Sequence, residues 1–172
     1  MLILGCGNPD RSDDCAGVLV ARRLREMGID AQEFTGDPLA LIEAWNGTRE
    51  VILIDTVVSG ATAGTIAVWD AGKTPLPPEQ FCCSTHAFGI AEAVEIARAL
   101  GRLPPRLLIY GIEGIRFDLG GSPSTEVAAA VERLAQEIGG VAQDAASGTD
   151  LSTRPCCRRG EIGGNTAPVQ NV

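Results

Sequence analysis

Three stretches of the chain, Leu2 to Leu4, Val51 to Ile54 and Leu107 to Ile112, are almost continuously apolar. That pattern belongs to parallel strands buried on both faces. Two weaker runs, Ala31 to Phe34 and Thr65 to Trp69, predict two more strands. Between the runs the apolar spacing lengthens to that of a helix. From about Asp14 to Met27, Val18, Ala21, Leu24 and Met27 recur at three-residue intervals, with Arg22, Arg23 and Arg25 elsewhere around the helix. Pro38 to Trp45 predicts a short helix with proline in its first turn. A third helix is expected from about His86 to Leu100, opened by Ser84 or Thr85 and closed by Gly101 ahead of Pro104-Pro105. A fourth is expected from about Pro123 to Ile138, with Ser122 as its N-cap and Val127, Ala130, Val131, Leu134 and Ile138 along one face. Strands alternating with helices predict βαβ units. The expected fold is a single three-layer α/β domain, a twisted, mostly parallel sheet of about five strands with helices on both faces.

From about Gly139 both periods vanish and Gly, Ser, Thr, Asn and Pro dominate. The expected division is therefore a folded domain over residues 1–139 and a disordered low-complexity tail over 140–172. The tail carries Asp144, Asp150 and Glu161 against Arg154, Arg158 and Arg159, so the net charge of −8 belongs to the first part. An acidic domain with a single lysine, Lys73, argues against a nucleic-acid partner, whose phosphates are bound mainly by Lys and Arg. No segment reaches the roughly 18 uninterrupted apolar residues of a membrane helix. The N-terminus lacks the basic region of a signal peptide, which points to a cytoplasmic protein with no membrane insertion. Six cysteines occur as Cys6, Cys15 and the pairs Cys82-Cys83 and Cys156-Cys157, without CxxC spacing, and reduced thiols are expected.

The residues able to do chemistry cluster where strands end. Gly5-Cys6-Gly7-Asn8-Pro9-Asp10-Arg11-Ser12-Asp13-Asp14 joins the first strand to the first helix. It looks like a phosphate loop but lacks the third glycine, and Asp13 and Asp14 would repel an anion there. One of the two aspartates is explained by helix capping; the second is not. Asp55 follows the buried run Val51 to Ile54, on the carboxyl edge of the sheet where open α/β folds bind ligands. It is equally consistent with a loop anchor. His86 is the only histidine. If the first and third strands are neighbours, Asp14 and Asp55 leave the sheet on one side, and His86 can join them. Two carboxylates and an imidazole suit a borderline divalent metal, and an aspartate pair suits water activation. Cys82 or Cys83 with His86 leaves a nucleophilic thiol open, though neighbours in one loop rarely aim correctly.

These residues also carry a family resemblance. Gly5-Cys6-Gly7-Asn8 through Asp13-Asp14-Cys15-Ala16-Gly17 resembles the opening signature of the nickel–iron hydrogenase maturation endopeptidases. Ile54-Asp55-Thr56-Val57 is similar to their second acidic motif. Ser84-Thr85-His86 with Gly89 is similar to their histidine segment, and Gly111-Ile112-Glu113 followed by Gly121-Ser122-Pro123 and Val127 to their closing motif. The four motifs appear in order across residues 1–139. The resemblance implies a phosphorylase/hydrolase-like fold and an endopeptidase that removes the C-terminal extension of the hydrogenase large-subunit precursor after nickel insertion. Nickel would come from the substrate, with no organic cofactor. The implied metal-contacting residues are Asp14, Asp55 and His86, with Asp14 and Asp55 also catalytic, and Asn8, Asp13 and Asp37 would lie against substrate. Cys15 departs from the family's usual glycine, which either alters the turn into the helix or adds a thiolate ligand. Two other readings remain open: a non-catalytic, nickel-checking chaperone, and a peptidyl-tRNA hydrolase-like esterase suggested by Gly5 to Pro9. The latter lacks its histidine after the loop and its basic face.

Overall fold

The computed structural model describes residues 1–77 and 89–146. All five expected strands are present. β1 (Leu2–Cys6), β2 (Gln32–Phe34), β3 (Glu50–Val57), β4 (Ile66–Asp70) and β5 (Arg106–Glu113) form one sheet in the order β2-β1-β3-β5-β4. The first four in that order are parallel, and β4 runs antiparallel along β5. Only the segment 58–65 links β3 to β4, too short for the crossover helix that a parallel return requires.

The helices divide between the two faces. α1 (Ala16–Glu26) and α4 (Thr125–Ala146) cover one, and α2 (Pro38–Ala44) and α3 (Ile90–Ala99) the other. Side chains alternate along each strand accordingly. Ile52 and Ile54 join the α1/α4 core with Ile3, Tyr110 and Ile112. Val51, Leu53 and Val57 join the α2/α3 core with Leu4, Cys6, Leu107 and Ile109. Asp55 occupies the α2/α3 side of this alternation.

Several boundaries differ from expectation, each for a local reason. A 3-10 turn, Ser12–Cys15, precedes α1, and neither Asp13 nor Asp14 caps a helix through its side chain. α3 is described from Ile90, with Gly89 as N-cap; the Gly89 N–H donates to Glu92 at 2.8 Å. The expected caps Ser84 and Thr85, with His86, lie outside the described residues. α4 starts after Ser124, whose hydroxyl accepts the Val127 N–H at 3.4 Å, so Ser124 takes the position expected of Ser122. The helix also continues beyond Ile138 to Ala146. Gly139 lies against α1, where an added Cβ would come 2.6 Å from Met27 Cε, so the glycine that suggested a boundary is a packing contact. The structure therefore places 140–146 with the domain; most of the expected tail lies outside the described residues.

The glycines of the first loop have a mechanical purpose. A Cβ at Gly5 would strike the carbonyl of Gly17, and one at Gly17 would strike the carbonyls of both Cys6 and Ile54. α1 thus sits directly on the backbones of β1 and β3. Gly17→Ala is expected to force the helix outward and cost about 2–3 kcal/mol, typical of overpacking. A thermal melt should show it as a loss of roughly 4–12 °C.

Candidate active site

Asp14 and Asp55 come together at the carboxyl edge of two adjacent parallel strands. β1 and β3 pair from Leu2–Val51 to Gly5–Ile54, so the loop after β1 and the end of β3 emerge side by side. Gly7 bridges them. Its φ of +129° is one that side chains other than glycine's rarely tolerate. A Cβ there would meet the Asp14 carbonyl and lie 3.9 Å from Asp55 Oδ1. The Asn8 N–H donates to that same Asp14 carbonyl at 3.2 Å, closing the loop.

Both carboxyl groups are nearly sealed, Asp14 at 4% and Asp55 at 7% exposure. Asp55 is not beyond the strand but within β3, paired with Gly111 two residues before the strand ends. Desolvation raises its pKa; the Thr56 N–H opposes this and the Asp14 charge adds to it, leaving Asp55 at about 7. Cys6 continues the register beside Asp55 on the same sheet face. Burial and then the Asp55 charge push its thiol well above the ordinary value, so it is a neutral neighbour. Among the described residues no three His, Cys, Asp or Glu side chains gather to hold a metal ion. Asp14 and Asp55 supply two groups, and His86 lies outside the described residues, as do Cys82 and Cys83.

The other residues expected to lie against substrate have partners within the fold. Asp13, expected to touch substrate, is fully buried, with 0% exposure, and its carboxylate faces inward. Its Oδ2 accepts N–H groups of Ile115 at 2.9 Å and Arg116 at 3.0 Å, and Oδ1 accepts that of Ser124 at 2.6 Å. Its own N–H donates to the Arg116 carbonyl at 3.0 Å, and its carbonyl accepts the Thr56 hydroxyl at 2.8 Å. Arg11 and Ser12 donate to the carbonyls of Phe117 and Asp118 at 3.2 and 3.1 Å. Desolvation would raise the Asp13 pKa, but the bonds from Ser124, Ile115 and Arg116 outweigh it and hold the carboxyl below its ordinary value.

Asp37 is the N-cap of α2, its Oδ1 accepting N–H groups of Leu39 and Ala40, both at 2.9 Å. Asn8 folds onto its own loop, accepting the Asp10 N–H at 2.9 Å. Cys15 has ordinary helical angles, φ −79° and ψ −3°, so the departure from glycine introduces no strain. Its thiol is buried, and desolvation, with Asp13 and Asp14 adding to it against the pull of its own N–H, raises its pKa. Without a metal the thiol is therefore held in its neutral form.

One residue with a clear task had none assigned from sequence. Glu113 ends β5, 2% exposed, and its side chain accepts from Ser59 and Gly60 in the loop after β3. In the sequence it showed as an acid closing a buried run and as part of the closing motif, with no task attached to it.

Comparison with known proteins bears on this arrangement. A family model described as hydrogenase maturation protease matches residues 35–140, well over half of the chain. The chain belongs to the hydrogenase maturation protease family. The match includes Asp55 and Glu113 and begins after Asp14. The hydrogenase expression/formation protein HupD of Rhodobacter capsulatus is 25% identical over 138 residues, covering 77% of this chain and 66% of that protein. A stretch of 89 residues is 37% identical to the ubiquinone/menaquinone biosynthesis C-methyltransferase UbiE of Caulobacter sp. (strain K31), covering 51% of this chain. The matches thus span about two thirds and about one third, 66% and 35%, of these two curated relatives. The solved structure of the nickel–iron hydrogenase maturation protease HybD from Thermococcus kodakarensis has a TM-score of 0.64 at 25% identity, covering 82% of this chain and 97% of that one. HybD of E. coli shares the fold with a TM-score of 0.67 at 20% identity, covering 86% and 93%. The expected α/β architecture and family hold.

Proposed function

We propose that this member of the hydrogenase maturation protease family is an endopeptidase that removes the C-terminal extension of a nickel–iron hydrogenase large-subunit precursor after nickel insertion. The observation that carries the reading is the pair of buried carboxyl groups, Asp14 and Asp55, meeting at the carboxyl edge of β1 and β3. Nickel is substrate here, held by the precursor. Asp14, Asp55 and His86 complete its coordination, so only a loaded precursor docks its scissile bond. An aspartate of the pair takes the proton of the attacking water. No helix among the described residues is long and apolar enough to cross a membrane, and the proposed setting is the cytoplasm, where the precursor folds around its metal. The protease unit reaches at least to the end of α4 at Ala146.

Purified protein mixed with nickel-loaded and nickel-free precursor tests this, read by mass spectrometry of the large subunit. A loss of mass at the C-terminus of the loaded form alone is expected. Cutting of both forms would remove nickel from the recognition step. Binding without any cut would leave a nickel-checking chaperone.

A further inference from the structure

We propose that Glu113 is a positioning residue for peptide cleavage, holding the 58–64 loop in one conformation as the ledge on which the polypeptide substrate lies beside Asp55. The inference rests on the endopeptidase reading above and adds where the substrate chain runs. The loop starts at Val58, directly after the strand that carries Asp55, and Glu113 fastens it at both ends. The Glu113 side chain accepts the Ser59 N–H at 2.9 and 3.1 Å through its two oxygens, the Gly60 N–H at 2.9 Å and the Ser59 hydroxyl at 2.7 Å. Its carbonyl accepts the Gly64 N–H at 2.8 Å, and its N–H donates to the Thr65 carbonyl at 2.9 Å. The Gly114 N–H to the Val57 carbonyl, at 3.0 Å, continues the seam.

The loop so fixed reads Val58-Ser59-Gly60-Ala61-Thr62-Ala63-Gly64, and positions 58–62 are exposed. After Val58 no side chain exceeds threonine in size, so an extended chain can approach the loop backbone closely. Gly60 adopts φ +85° with nothing within 4 Å of a Cβ, so its glycine serves the bend and not a crowded neighbour. Exposed loops are ordinarily loose, and four bonds from one side chain remove that freedom before substrate arrives.

The test measures processing of nickel-loaded precursor across precursor concentration by wild type, Glu113→Ala and Glu113→Gln, with precursor binding measured separately. Glu113→Ala is expected to raise KM and weaken binding about tenfold while kcat stays within about threefold, since binding and not the chemical step is lost. Glu113→Gln keeps an oxygen for the Ser59 and Gly60 N–H groups and should restore KM to within about threefold of wild type. A lower kcat at unchanged KM, the mark of a smaller folded fraction, would overturn the proposal. Should Glu113→Ala not fold, Ser59→Ala removes the hydroxyl bond alone, and an unchanged KM there would also overturn it; a rise of about two- to threefold supports it. A wild type that binds loaded precursor without cutting it overturns the endopeptidase reading alone, because the binding shift between variants still reads the ledge. A wild type that neither binds nor cuts overturns both.

Discussion

Asp13→Ala is expected to cost about 4–5 kcal/mol, a loss of roughly 8–20 °C in Tm for a domain of this size. The substitution leaves the N–H groups of Ile115, Arg116 and Ser124 without the acceptor that now holds them at 2.9, 3.0 and 2.6 Å. Each such bond to a charged acceptor contributes about 1.5–3 kcal/mol, and water entering the vacated space returns part of the sum. The loss is also long-range, because the three donors belong to the β5–α4 connection and the acceptor to the loop before α1. The pH dependence has a definite sign. The folded-state pKa of Asp13 lies below its unfolded value, so its contribution is present above about pH 4, the unfolded carboxyl pKa, and fades as the pH falls through the folded one. The gap between wild type and Asp13→Ala in denaturant unfolding should therefore be widest near neutrality and narrow in acid. A constant gap from pH 7 to pH 2 would show that the carboxylate is not what holds the loop.

Asp55→Asn is expected to abolish precursor processing, a fall of about a thousandfold or more, while leaving the fold intact. A lost catalytic or charge-stabilising group typically removes that much. Stability should move the other way. Asp55 titrates at about 7, above its unfolded value, so folded protein binds the extra proton between about pH 4 and 7 and stability falls as the pH rises through that window. An uncharged amide has no such cost. Asp55→Asn should therefore be more stable than wild type above pH 7, by about 2–4 kcal/mol at most, and no different below about pH 4. Melting curves of the metal-free protein at pH 8 and pH 4 check this. A variant that processes at the wild-type rate would remove Asp55 from the chemistry, and one destabilised at pH 8 would make it a structural anchor.

These two aspartates show how far the chain could be read without coordinates. β1, β3 and β5 were legible because a parallel strand covered on both faces leaves a local, near-continuous apolar record, whereas β2 and the antiparallel β4 left only weaker runs. The helices α1 and α4 were legible through one apolar face each. The end of β3 was not, because Asp55 and Thr56 are polar and only the partner β5, continuing to Glu113, keeps them in the sheet. Nor was the start of α4, since Ser122 and Ser124 offer equal capping chemistry and the Asp13 bond at Ser124 decides between them.

The sequence by itself determined the α/β class, the carboxyl side of the sheet as the place of Asp14 and Asp55, and the motif order that marks the family. Tertiary structure alone decided the strand order, the antiparallel β4, and which acid serves which purpose. Asp13 and Asp14 are adjacent and chemically identical, yet one is spent on backbone N–H groups more than a hundred residues away and the other lies near enough to Asp55 to raise its pKa. Periodicity records what a residue does with its near neighbours in the chain. Hydrogen bonds between distant loops leave no such trace, because their partners are fixed only once the strands have paired.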